Sequence, residues 1–156
     1  MHLFCIASAN EHYYRKISKQ KKMTQDELIK QALHERTSAK AFFSHFRVGA
    51  LLLSKKGKIY RGSNIELSSY GLTMCAERVA IFKAISEGEQ NFQSIFIASD
   101  AQKITTPCGA CRQVLWELAG DIDVYMINCQ GAYQMLKLSQ LLPNGFDKTY
   151  FNKNEK

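Results

Sequence analysis

Three thiols and one carboxylate, in Met74-Cys75-Ala76-Glu77-Arg78 and Pro107-Cys108-Gly109-Ala110-Cys111, have the types and spacing of a catalytic zinc centre. Structural zinc is held by four protein ligands, whereas catalytic zinc is held by three and keeps the fourth place for water. The two segments supply three cysteines and no fourth ligand: His2, His12, His34 and His45 fall in neither, and Cys5 and Cys129 lie far away along the chain. Cys108 and Cys111 are i and i+3, which puts both sulfurs on one face of a helical turn. Glu77 is the kind of group that carries protons to and from an activated water. Cys75 and Glu77 are i and i+2 and would not share a face of a regular helix, so Cys75 belongs at the helix edge with the longer carboxylate reaching back. Three thiolates on a divalent ion leave a net charge of −1, which weakens its hold on an acidic water. Arg78 is placed to hydrogen-bond the sulfurs and offset that charge. A redox role for Cys108 and Cys111 alone would leave Cys75 and Glu77 without a purpose.

The elements around these segments alternate between strand and helix. Thr24-Gln25-Asp26-Glu27 is a capping box, and Leu28, Ile29, Ala32, Leu33 and Arg36 continue it as a helix of about four turns. Phe46 to Leu53 is a buried strand, turned at Ser54 to Gly57 into a second strand over Lys58 to Gly62. A polar loop from Ser63 to Thr73 leads into a helix from Cys75 to Glu87, which buries Val79, Ala80, Ala84 and Ile85 and stops at Gly88. Ser94 to Ser99 is apolar enough to be a strand covered on both faces. Pro107 opens a helix that turns Val114, Leu115, Leu118 and Ala119 inward and ends at Gly120. Asp123 to Ile127 and Ala132 to Leu136 are further strands, and a short helix near Ser139 to Leu142 stops at Pro143. Cys75 and Cys108 thus each fall at a helix start, where unpaired amide hydrogens and the positive dipole end favour thiolate.

Composition bounds the partners. A chain of 156 residues with 46% hydrophobic and 22% charged residues suits one globular domain. No apolar run reaches the roughly 20 residues of a bilayer span, and no signal peptide is evident. Five cysteines, three of them at metal spacing, point to a reducing compartment, most simply the cytoplasm. Of the formal +7, residues 1–22 carry +4, with Arg15, Lys16, Lys19, Lys21 and Lys22 against Glu11 alone. The charge therefore sits mostly in a basic N-terminal extension, 1–22, whose composition allows disorder, and Met23 after it is a candidate start. No aromatic-basic interleaving of a nucleic-acid platform follows. The expected division is that extension, a domain over 23–146 and a polar tail over 147–156.

Taken together, Phe46-Arg47-Val48-Gly49-Ala50, Asn64-Ile65-Glu66, Tyr70-Gly71, Cys75-Ala76-Glu77-Arg78 and Pro107-Cys108-Gly109-Ala110-Cys111-Arg112-Gln113 resemble the small homotetrameric, zinc-dependent cytidine deaminases, from about Thr24 to Phe146. The resemblance implies a three-layer α/β/α sandwich with a mixed five-stranded sheet. It implies one zinc per chain on Cys75, Cys108 and Cys111, Glu77 as proton shuttle, and hydrolysis of free cytidine and deoxycytidine. Asn64 and Glu66 would hold the ribose hydroxyls, Phe46 would pack beside pyrimidine and sugar, and Ala76 would offer its backbone to the base. Phe146 would stack on the base of an adjacent subunit in a homotetramer with shared sites. The partner implied is a small nucleoside, with neither membrane nor nucleic acid. Two departures stand out: Leu67-Ser68 where asparagine-alanine is frequent, and Phe43 where tyrosine is common. The alternatives are a deaminase of another aminonucleoside or of cytosine in a polynucleotide, and a non-catalytic zinc-stabilised nucleoside-binding module.

Overall fold

The computed structural model describes residues 23–151; the extension over 1–22 and the last five residues lie outside them. Helix α1, Gln25–Glu35, starts where the capping box places it, with Thr24 Oγ1 accepting from Glu27 N–H and the Glu27 carboxylate accepting from Thr24 N–H. Its 11 residues make about three turns rather than four, because Arg36–Ser38 tightens into a 3₁₀ turn. Strands β1, Val48–Ser54, and β2, Ile59–Ser63, form the expected hairpin, and α2, Ala76–Ser86, follows. Then come β3 (Phe92–Ser99), α3 (Gly109–Ala119), β4 (Asp123–Ile127), β5 (Tyr133–Lys137) and α4 (Leu138–Leu141). Lys148–Phe151 forms a closing 3₁₀ turn in a stretch whose sequence reads as irregular.

The sheet order is β2-β1-β3-β4-β5, antiparallel except for the parallel pair β3 and β4. That parallel pair needs a crossover, which α3 provides. Side chains alternate between the faces of each strand, and the two faces carry separate cores. Leu51, Phe96, Ala98 and Ile127 meet Leu28, Ile29 and Ala32 of α1. Ala50, Leu52, Ile95, Ile97, Val124 and Met126 meet Ala80, Ile81, Ala84 and Leu115 of α2 and α3 on the other side. The architecture is therefore the α/β/α sandwich with a mixed five-stranded sheet.

The faces of α2 and α3 agree with the apolar pattern at Ala80, Ala84 and Leu115 and differ from it elsewhere. Helix α2 buries Ala76, Glu77, Ala80, Ile81 and Ala84, while Ile85 is exposed and Val79 only half-buried. The cause is the closeness of helix and sheet. A Cβ on Gly62 of β2 would lie 2.4 Å from Ala76 O and 2.6 Å from Ala80 N, so only an alanine stripe fits against the strand. The larger Phe82 and Ile85 turn outward. In α3, Cys111 and Leu115 are buried and Leu118 is exposed. Gly88 and Gly120 lie just past these helices at φ 83° and 73°, a left-handed turn that glycine adopts at no steric cost.

Candidate active site

Helices α2 and α3 pack against each other, and their N-termini bring the two cysteine segments together. Cys75 and Cys108 are the N-cap residues, both extended and neither using its side chain as a cap, so their sulfurs are free to project from the helix ends. Cys111, one turn into α3, is fully buried. The three sulfurs lie within 4.8 Å of one another, and Cys75 Sγ and Cys108 Sγ are 4.0 Å apart. Tetrahedral zinc with bonds of about 2.3 Å holds its sulfurs about 3.8 Å apart, so the trio is close to the right size for one ion.

The charges around the trio also suit a cation. A hydrogen bond with Cys111 draws the Cys75 thiol down to about 5 against the cost of desolvation, and Arg78 pulls in the same direction. The same contact with Cys75, then burial and the nearby Glu77, pushes Cys111 upward. Crowded sulfurs that cannot all ionise alone are stabilised together by a divalent ion. One guanidinium nitrogen of Arg78 donates to Cys75 Sγ at 3.4 Å, the contact expected of a residue that withdraws charge from the sulfurs. Among the described residues, its buried Nε has no partner.

Glu77 is only 4% exposed and lies in the first turn of α2, beside its thiol neighbours. Burial pushes its carboxyl up to about 7, partly opposed by its own backbone N–H. A carboxyl balanced near neutral pH both takes and returns a proton. Ala76 is buried with its carbonyl against β2 at Gly62. Its N–H belongs to the first helical turn, where no intrahelical carbonyl is available.

The sugar-binding candidates are fastened to the main chain. Asn64 spans the start of β1, with Oδ1 accepting from Val48 N–H at 2.8 Å and Nδ2 donating to Phe46 O at 3.0 Å. Glu66 accepts from the Phe43 and Ser44 N–H groups and from the Ser44 hydroxyl. That hydroxyl and the two amides hold its carboxyl below the usual range. An amide group has two donors and a carboxylate about four acceptor positions, so each keeps capacity for a further hydroxyl. The loop from 63 to 75 is less free than its composition suggests, since Ile65 bridges Lys40 on one side and Met74 on the other.

Phe43, Ser44, Glu66, Tyr70 and Thr73 line a cavity of about 300 Å³. Phe43 meets Tyr70 edge-on at 5.2 Å, which puts one of the two departures in the pocket wall. Phe46 is exposed and lies nearby in sequence, its approach to β1 held by Asp100, which accepts from both N–H and Nε of Arg47 and from Arg36. Phe146 is 51% exposed and is not among the residues lining the cavity of its own chain; Gln113 Nε2 donates to its carbonyl at 2.9 Å. The structure thus gathers Cys75, Glu77, Arg78, Cys108 and Cys111 at one point and places Asn64 and Glu66 on the loop before it. Ser44, which orders Glu66, and Gly62, which seats α2, have no signal in the sequence beyond a serine in a turn and a glycine at a strand end.

The model of the cytidine and deoxycytidylate deaminase zinc-binding region matches residues 22–127. The cytidine deaminase of Halalkalibacterium halodurans is 49% identical over 125 residues, 80% of this chain and 95% of that protein. The cytidine deaminase of Sporosarcina psychrophila is 42% identical, over 81% of this chain and 93% of its own. The crystal structure of cytidine deaminase from Burkholderia pseudomallei aligns at a TM-score of 0.77 and 40% identity, covering 80% of this chain and 100% of that one.

Proposed function

The chain belongs to the cytidine and deoxycytidylate deaminase family and is a zinc protein, and on that premise we propose that it converts free cytidine and deoxycytidine to uridine and deoxyuridine. The observation that carries this reading is a carboxyl only 4% exposed on the same helix turn as one thiol of a three-sulfur cluster. Cys75, Cys108 and Cys111 would hold the zinc, which would supply the Lewis acidity that makes water a nucleophile near neutral pH. Glu77 takes one proton from the attacking water and delivers it to N3 of the pyrimidine, then takes the second from the hydroxyl now on C4 and passes it to the departing amine. Arg78 balances the charge of the thiolates throughout. Asn64 and Glu66 orient the sugar through its hydroxyls, Phe46 packs beside the ring, and the Ala76 backbone meets the base edge. The net change is cytidine plus water to uridine plus ammonia.

The direct test is to incubate the purified full chain with cytidine, follow uridine, and count zinc on the same sample. Conversion with about one zinc per chain is the expected result. Full zinc without conversion of either nucleoside would overturn the substrate assignment and direct attention to Phe43 and the Leu67-Ser68 loop.

In the same reading the chain is a homotetramer with shared sites, working in pyrimidine salvage in the cytoplasm. Exposed Phe42, Phe82, Ile85, Leu118 and Phe146 support an assembly, because apolar groups spread over several faces gain from being covered. Among the described residues no helix is long and apolar enough to cross a membrane. If Phe146 serves a neighbour, Glu77→Gln and Phe146→Ala chains, each impaired alone, should regain activity when co-assembled. A mixed assembly no more active than its parts would place Phe146 in its own chain's site or outside catalysis.

A further inference from the structure

Each of the three sulfurs needs something to hold it in place. Cys111 is fixed by burial and Cys75 by Arg78. Cys108 is exposed, its side chain makes no cap hydrogen bond, and it follows a loop that leaves β3 at Ser99. The main chain just before it must therefore be held from outside. Arg112 does this from the first turn of α3: Nε donates to Pro107 O at 2.8 Å, and one terminal nitrogen donates to Thr106 Oγ1 at 2.6 Å. The other terminal nitrogen donates to Leu141 O at 3.0 Å, at the end of α4. Pro107 and Leu141 are both buried, so the bonds fix the loop to packed structure. A planar guanidinium satisfies three acceptors in different directions at once, and an ammonium on a flexible stem does not.

We propose that Arg112, which touches no sulfur, is the positioning residue of Cys108, bracing Thr106 and Pro107 against the end of α4 so that the third sulfur is already in place for the metal. This inference rests on the zinc site of the proposed function, but not on its substrate. Removing partners that orient a metal ligand characteristically costs 10- to 100-fold in affinity or activity.

The test is Arg112→Lys in the full zinc-loaded protein, measuring the rate of zinc transfer to a coloured chelator and the melting temperature with and without zinc. The expected result is zinc release at least tenfold faster, with the metal-free proteins melting alike and only the gain on adding zinc reduced. Release at the wild-type rate would overturn the proposal, as would an equal loss of melting temperature in the metal-free and zinc-loaded forms, which marks a purely structural role. If Arg112→Lys does not fold, Thr106→Val removes one bond of the three; faster release from it supports the brace, and unchanged release overturns it. Cytidine conversion by the wild type, run in parallel, separates the two readings: its absence with faster release from the variant leaves the brace standing and removes only the substrate.

Discussion

Glu77→Gln should yield a folded, zinc-loaded protein whose cytidine turnover falls by several orders of magnitude. General acid-base catalysis by one positioned group contributes about 10²- to 10⁴-fold per proton transfer, and in the proposed mechanism one carboxyl serves transfers both to the ring and to the leaving amine. Glutamine keeps the shape and the buried volume but carries no exchangeable acid proton. Turnover close to that of the wild type, at full zinc content, would remove Glu77 from the mechanism. A second measurement separates the proton role from packing. The carboxyl moves from an ordinary 4.5 to about 7 because burial penalises the charged form, so between those values the folded protein binds more protons than the unfolded one. Stability owed to this group is therefore full below pH ~4.5 and lost as pH rises through ~7. Glutamine suffers no such loss. Metal-free Glu77→Gln should gain on metal-free wild type in melting temperature as pH rises from about 4.5 to 7, and a constant difference over that range would contradict the raised value.

Gly62→Ala is the second large effect, and it acts without touching the chemistry. The new methyl would meet Ala76 O at 2.4 Å and Ala80 N at 2.6 Å, both backbone atoms of α2. Neither can rotate away, so the helix must lift from the sheet, taking with it Cys75 at its cap and Glu77 in its first turn. Overpacking a close-fitted interior costs about 1–3 kcal/mol and sometimes more, and a backbone contact belongs at the upper end. The expected outcome is a protein that melts well below wild type and binds less than one zinc per chain. Gly71→Ala is the control, since nothing lies within 4 Å of its added methyl; its stability should stay within about 0.5 kcal/mol. Wild-type melting and full zinc in Gly62→Ala would mean that α2 does not seat on β2 in this way.

Much of the site was legible because its signals are local. The spacing of Cys108 and Cys111, the capping box at Thr24 and the apolar run of β3 each lie within one element, where backbone geometry alone turns spacing into direction. The inward faces of α2 and α3 were less legible. Hydrophobicity favoured Val79 and Ile85 equally with Ala80 and Ala84, yet of these four only the two alanines are buried, because the approach of α2 to the sheet is set by Gly62 on another element. The assignment of Asn64 and Glu66 came from family likeness, not from their surroundings. Only the fold shows that both are already bonded to the main chain around Phe43 to Val48.

The sequence by itself determined the donor set, the strand-helix alternation and the two helix starts that carry Cys75 and Cys108, since these follow from residue type and short-range spacing. The tertiary structure decided which sulfurs meet, how far Glu77 is buried, and what holds Cys108 in place. Those depend on groups distant along the chain: Gly62 beneath α2, and Leu141 opposite Arg112. Burial and convergence arise only when separate elements pack, and burial is what brings the Glu77 carboxyl to about 7.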